Sequence, residues 1–206
     1  MKYIIHRGIT SHYIKENSYI AIKKALQDKN TLGVEFDIRL TKDNIIVLSH
    51  DSHNIENTNY LDIIKEKYLT TLDKILDINT NKILLIDIKT KNNYKKFGNI
   101  LLEYIKNTNK NIYLASFDKK IIKYLNKKTK YKKGIITLKY HQNNNKYFIV
   151  TNYKNISNKK IKKIKNKEIF LWTIKNNNDL EKAKNKFKNI NNYYLIINKK
   201  ENINSP

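Results

Sequence analysis

Short apolar runs alternate with amphipathic stretches along the whole chain. Nine runs set β-branched or aromatic residues over about five positions between polar flanks, and each predicts a strand. They are Tyr3–Ile5, Val34–Ile38, Ile45–Leu48, Ile83–Ile88, Ile112–Ala115, Gly134–Leu138, Tyr147–Val150, Ile169–Ile174 and Tyr193–Ile197. Helical spacing fills the intervals. Tyr19, Ile22 and Leu26 mark a helix from about Asn17 to Gln27, and Tyr94, Phe97, Leu101, Tyr104 and Ile105 form one stripe between Tyr94 and Lys106. Asp118 is placed to cap a third helix carrying Ile121, Ile122 and Leu125, and a fourth runs from Asn178 to about Phe187.

This alternation predicts parallel strands joined by helical crossovers, an α/β fold. Nine strands are one too many for an eight-stranded barrel. The stretch Arg39–Leu48 is too short to hold a crossover helix, so a departure from simple repetition is expected there. No proline- or glycine-rich linker and no internal repeat divides the chain, and residues 1–206 are expected to form a single domain. The Asn/Lys tracts at 142–146, 157–168 and 175–178 read as solvated loops or helix ends.

Composition first suggests a polyanion partner, because the formal charge is +24. Its distribution weakens that reading. Residues 1–90 carry 13 basic and 12 acidic side chains, whereas the rest carry 29 basic and 6 acidic ones. All 29 of those positive charges are lysine, although phosphate-reading surfaces favour the bidentate arginine fork. Lysine, asparagine and isoleucine (40, 34 and 32 for Lys, Ile and Asn) rise together, as an AT-rich coding sequence would produce. No apolar run nears the roughly 20 residues of a membrane helix. The absence of cysteine excludes a disulfide scaffold and fits a reducing, cytoplasmic setting. A leader peptide is not expected, because a chemical motif already starts at residue 6.

The chemistry gathers at strand ends. The first strand ends in His6-Arg7-Gly8, the second carries Glu35-Phe36-Asp37, the third ends in His50-Asp51 and the fourth carries Asp87-Ile88-Lys89. The strand period of two puts Glu35 beside Asp37, and Asp87 beside Lys89, on one side. In a parallel barrel such inward residues converge at the C-terminal rim. Three carboxylates form a hard-cation site for Mg²⁺ or Ca²⁺. Two histidines supply an acid and a base, and Arg7 and Lys89 can hold phosphate. A lone Glu-x-Asp is commonly just a solvated edge, and a lone His at a strand end a satisfied structural residue. Asp87 inside Leu84–Ile88 is harder to dismiss, since a buried carboxylate costs several kcal/mol unless paired or metal-bound. Together the groups describe metal-assisted phosphodiester cleavage.

The ordered set His6-Arg7-Gly8, Glu16-Asn17-Ser18, Glu35-Phe36-Asp37, Leu40-Thr41-Lys42-Asp43 and His50-Asp51 resembles the glycerophosphodiester phosphodiesterase family. Thr71-Leu72 followed by a short helix, Asp87-Ile88-Lys89, Ser116-Phe117 and Trp172-Thr173-Ile174-Lys175 continue the likeness over nearly the whole chain. The resemblance implies a TIM (β/α)8 barrel of the phospholipase-C-like phosphodiesterase type and a divalent metal. It implies hydrolysis of a small-molecule glycerophosphodiester to glycerol 3-phosphate and an alcohol, in lipid or glycerol metabolism. His6 and His50 would be the acid/base pair, and Glu35, Asp37 and Asp87 the metal ligands. Arg7 and Lys89 would bind phosphate, and Trp172 would line the glycerol side, although an indole there serves equally as core. The attacking group implied is the substrate's own glycerol hydroxyl, giving a cyclic phosphate that water opens.

Several positions depart from the family pattern. Asp87 stands where a glutamate is usual, Lys15 replaces a proline, Ser18 replaces a threonine, and Asn198-Lys199 stands near the usual closing Thr-Asp pair. The segment after His50 leaves no room for a large covering insertion, and 206 residues is short against about 250, so a trimmed, open-mouthed barrel is expected. His12, His53 and His141 have no counterpart and are expected on the surface or in loops. Two other readings remain open here. One keeps the site but takes a lysophospholipid at an anionic membrane surface; the other is a non-enzymatic basic nucleic-acid binder on a barrel scaffold, though no nucleic-acid motif is found.

Overall fold

A computed structural model describes residues 3–52, 54–90, 92–138, 147–161, 164 and 167–200; His53, His141 and the tract at 142–146 lie outside them. In chain order the elements are β1 (Tyr3–Thr10), α1 (Tyr19–Gln27), β2 (Gly33–Leu40), β3 (Ile46–Leu48), α2 (Tyr60–Glu66), α3 (Leu72–Leu76), β4 (Ile83–Ile88), α4 (Tyr94–Ile105), β5 (Asn111–Ser116) and α5 (Lys119–Asn126). They continue with β6 (Lys132–Thr137), β7 (Phe148–Asn152), α6 (Asn158–Ile161), β8 (Ile169–Ile174), α7 (Asn177–Phe187) and β9 (Tyr193–Lys200). No helix of the described residues is long and apolar enough to cross a membrane.

The sheet order is β1-β9-β8-β7-β6-β5-β4-β2-β3, and β1 also pairs with β2. Eight strands, all parallel to their neighbours, therefore close into a barrel. The ninth, β3, lies antiparallel against β2 and outside the closed ring. That hairpin is the departure expected within Arg39–Leu48. All nine predicted strands are present, with bounds that differ by a few residues, mainly at β1 and β9.

Side-chain alternation builds two apolar layers. Val34, Phe36, Ile38, Leu84, Ile86 and Ile88 point outward and join the core beneath the helices. Inside the barrel, Ile4, Leu85, Tyr113, Phe148, Phe170 and Ile196 form a second cluster. Its aromatic part is closely packed: Phe170 stacks on Tyr194 at 4.6 Å and meets Phe148 at 5.2 Å. At the N-terminal end Lys132 Nζ donates to Glu168 Oε1 at 2.8 Å and to the Tyr113 hydroxyl at 2.7 Å, closing the floor. The inner layer thus leaves only the C-terminal end of the barrel open to polar chemistry.

Local signals fix the ends of several helices. Ser18 Oγ accepts from the Ala21 N–H at the start of α1, and Asp118 accepts from the Lys120 N–H at the start of α5. By contrast α2 fully buries none of its residues; Tyr60 and Ile63 pack, half-buried, against the small cluster of Val47, Ile55 and Leu69.

Candidate active site

Strand register assembles the site. His6 lies alongside Glu35 where β1 meets β2, and Asp37 lies alongside Asp87 where β2 meets β4. Because Phe36 and Ile88 take the outward positions, Glu35, Asp37, Asp87 and Lys89 face inward at the rim. The end of β1 is bent to help: Arg7 (φ 55°) and Gly8 (φ 91°) both adopt the left-handed region. A Cβ on Gly8 would stand 2.5 Å from the Ala21 carbonyl carbon, so the close approach of α1 demands glycine there.

The three carboxylates are buried, with Asp37 only 1% exposed, and their nearest oxygens lie within 4.8 Å of one another. Asp37 is the best compensated. Its Oδ2 lies 2.9 Å from Arg7 Nε and accepts from Asn17 Nδ2 at 3.0 Å, while its Oδ1 lies 3.0 Å from Lys89 Nζ. Lys89 also donates to Asp87 Oδ2 at 2.5 Å. Glu35 Oε2 and Asp87 Oδ1 have no hydrogen-bond partner although both are buried. Three carboxylates against Arg7 and Lys89 leave uncompensated negative charge, with orphaned oxygens beside it. That donor set fits a hard divalent cation, and Glu35, Asp37 and Asp87 are the residues that would hold it.

Electrostatics separates the three acids. Burial and the repulsion of Asp37 and Asp87 push Glu35 well above the usual carboxylate range. Burial also raises Asp87, to about 6, with Lys89 opposing and Asp37 adding to the shift. Burial acts on Asp37 in the same sense, but the adjacent Lys89 and Arg7 outweigh it and hold the group below its ordinary value. The same carboxylates keep Arg7 and Lys89 charged in spite of their burial.

The two histidines stand differently. His6 is lowered to about 4, by burial and then by the Arg7 charge. Its Nδ1 lies 2.8 Å from Asn198 Oδ1, and an amide oxygen only accepts, so Nδ1 carries the proton. His6 Nε2 is left facing Glu35 Oε2 at 3.8 Å. His50 is more open, with Nδ1 2.8 Å from Asp51 Oδ1. Its carbonyl accepts from Arg39 Nε at 3.1 Å and from Arg39 Nη2 at 2.7 Å, and Arg39 Nη1 pairs with Glu56.

Asn17, Arg39 and Asn198 therefore support the site without a role read from sequence. Arg39 had a signal, since Glu35-x-Asp37-x-Arg39 extends the inward alternation by one step. Asn17 fell within a recognised motif but carried no assigned contact. Asn198 reaches His6 across nearly the whole chain, a contact no local pattern reports. His12 is an exposed loop residue, edge-on to Tyr13 at 4.9 Å.

All eight expected site residues line one recess of about 200 Å³. The rest of its lining is largely apolar, built from Leu85, Ala115, Phe117, Ile136, Val150 and Ile196. Trp172 belongs to this wall, and its Nε1 is buried without a protein partner.

Fold and site together define a closed parallel (β/α) barrel with three clustered carboxylates and two histidines at its C-terminal rim. By sequence, the model of the Glycerophosphoryl diester phosphodiesterase family matches residues 6–74, which hold His6, Arg7, Glu35, Asp37 and His50. By fold, the chain is similar to a glycerophosphodiester phosphodiesterase from Thermotoga maritima (TM-score 0.72, 21% identity, 95% of this chain and 94% of that one). It is similar to another from Parabacteroides distasonis (0.76, 17%, 95% and 92%). An Oleispira antarctica phosphodiesterase in complex with the product sn-glycerol-3-phosphate is also similar (0.76, 15%, 96% and 92%). No curated protein sequence matches the chain. The chain thus resembles this family in its first third by sequence and over nearly its whole length by fold.

Proposed function

We propose that the protein is a metal-dependent phosphodiesterase that hydrolyses glycerophosphodiesters to glycerol 3-phosphate and an alcohol. The observation that carries this reading is the buried Glu35–Asp37–Asp87 cluster, with orphaned oxygens, flanked by Arg7, Lys89 and two differently held histidines.

Each residue then has a role. Glu35, Asp37 and Asp87 would hold a Mg²⁺ or Ca²⁺ ion, which when bound supplies Lewis-acid stabilisation of a phosphoryl oxygen. Arg7 and Lys89 border the same recess and add positive charge where the phosphate sits. His6, with Nδ1–H tied to Asn198 and the Nε2 lone pair free, takes the proton of the attacking glycerol hydroxyl. His50, turned by Asp51 and anchored through its carbonyl by Arg39, returns a proton to the departing alkoxide. The P–O bond to the alcohol breaks as the bond to the glycerol oxygen forms, and a water then opens the cyclic phosphate. The indole and apolar wall receive the carbon face of glycerol, with Trp172 Nε1 available to one of its hydroxyls.

Purified protein is expected to release glycerol 3-phosphate from glycerophosphocholine and to stop doing so in EDTA. His50→Ala and Glu35→Ala should each lower kcat/KM at least about a hundredfold. Unchanged release in both variants overturns the site assignment.

A further inference from the structure

Eight large apolar side chains stand exposed among the described residues, and they are not scattered. Tyr13, Phe117 and Leu138 follow β1, β5 and β6, and Ile20 lies in the first turn of α1, so all four stand at the C-terminal end of the barrel. Leu61, Ile64 and Tyr68 belong to α2 and its exit. That segment is tied to the same end: the Tyr60 N–H donates to Asp43 Oδ1 in the β2–β3 turn at 3.0 Å, and Thr70 Oγ1 accepts from the Tyr19 N–H at 2.8 Å. Among the eight, only Leu32, between α1 and β2, lies at the opposite end.

Helix α2 shows how this comes about. Tyr60 and Ile63 turn inward against Val47, Ile55 and Leu69, which leaves Leu61 and Ile64 on the outward side and Tyr68 just past the helix end. Tyr13 is 90% exposed, Leu61 66% and Tyr68 65%. A single exposed apolar residue is ordinary, but a concentration of them at one end marks a surface that meets something. Charge narrows the choice. Lys15, Lys67, Lys119 and Lys175 are exposed at the same end, while several of its acids are engaged: Glu16 pairs with Arg7, Asp51 with His50 and Asp62 with Lys65. Separate apolar projections interleaved with lysine do not suit a protein partner, because lysine is depleted from protein interfaces. They match an anionic lipid surface, where apolar side chains enter the headgroup layer, tyrosine sits at the water boundary and lysine meets lipid phosphate.

We infer that the C-terminal rim of the barrel docks peripherally on an anionic bilayer, with Tyr13, Leu61, Ile64 and Tyr68 entering its headgroup layer. The inference concerns where the protein sits and does not depend on which bond it cleaves.

Vesicle co-sedimentation of the full chain tests it. Vesicles of phosphatidylcholine mixed with phosphatidylglycerol should retain the protein at physiological salt, and vesicles of phosphatidylcholine alone should retain it far less. The triple variant Tyr13→Ser, Leu61→Ser, Tyr68→Ser keeps every lysine and should weaken retention on the mixed vesicles at least about tenfold. Leu32→Ser, at the opposite end, should leave retention unchanged. In a Tyr68→Trp variant, brominated lipid in the mixed vesicles should quench the added indole, a readout of insertion that does not depend on affinity. The inference is overturned by no retention on the mixed vesicles, or by an unquenched indole. Retention that the triple variant leaves unmoved also overturns it, by assigning the binding to net charge alone. A dimer in solution that the triple variant abolishes would overturn it too, by giving the rim to a second copy of the chain.

Discussion

Asp87 shows what a single inward carboxylate does to this molecule. Its unfolded value is near 3.8, and in the folded chain it titrates near 6, chiefly because it is buried. A folded value above the unfolded one means the native state holds the proton more tightly. The contribution is therefore most favourable below about pH 4 and is lost as the pH rises through 6. In EDTA, wild type should lose on the order of 2–3 kcal/mol relative to Asp87→Asn between pH 4 and pH 7. Adding Mg²⁺ or Ca²⁺ should reverse that loss at pH 7. Thermal unfolding of both proteins across the range measures it; a constant difference between them would contradict the shift. The residue scale is also where legibility in the sequence was uneven. His6, Arg7, Glu35, Asp37, His50, Asp87 and Lys89 could be named from strand ends and period, because side-chain alternation converts position into direction, whereas Trp172 came only with the family resemblance. What the sequence could not show was who holds them. The Asn198–His6 bond depends on the closure of β9 onto β1, and the split between Glu35, raised, and Asp37, lowered, depends on distances to Lys89 and Arg7.

At the scale of elements, strands were easier to read than connections. A strand buried on both faces is a continuous apolar run, and a polar residue inside such a run, like Asp87, stands out. The ninth run became intelligible only through pairing: β3 turns back on β2, which brings Ser49 and His50 level with Asp37, where the Ser49 N–H donates to the Asp37 carbonyl at 3.1 Å. Helix α2 went unread because it is two turns long and only Tyr60 and Ile63 pack, half-buried, against Val47, Ile55 and Leu69. Asp118 was legible as a cap and does more than cap. It accepts from the Lys120 N–H at 2.8 Å and from Thr90 Oγ1 at 2.9 Å, so it also ties the segment after β4 to the start of α5. Asp118→Ala should cost about 1–2 kcal/mol, or about 2–6 °C in Tm for a chain of this size. Thermal denaturation would show it, and a shift under a degree would mean the two bonds contribute nothing net.

For the whole molecule the question is whether the large positive charge belongs to the chemistry. The residues that build the site lie mostly in the nearly balanced first 90, while the lysine excess follows later. Ion pairs at the site are buried and screened little by salt; the surface lysines are screened within about 10 Å at moderate ionic strength. Glycerophosphocholine is a zwitterion without net charge, so the overall field does little to draw it in. Its kcat/KM should therefore change less than about threefold from low to physiological salt. A steep decline in a salt titration would instead give the lysine-rich half a direct part in capture. The barrel itself follows from the alternation of apolar runs with helical stretches, and the closed floor formed by Lys132, Glu168 and Tyr113 restricts the site to one end.

The two arginines take on a further meaning in this setting. The chain writes 40 of its 42 positive side chains as lysine. It retains a guanidinium at only two positions: Arg7, which reaches Asp37 and Glu16 at once, and Arg39, which grips the His50 carbonyl with two nitrogens. Both need a flat fork, and an ammonium is a point. The two forks of the molecule therefore stand together at the rim on which the histidines and carboxylates depend, one holding Asp37 and the other the backbone of His50.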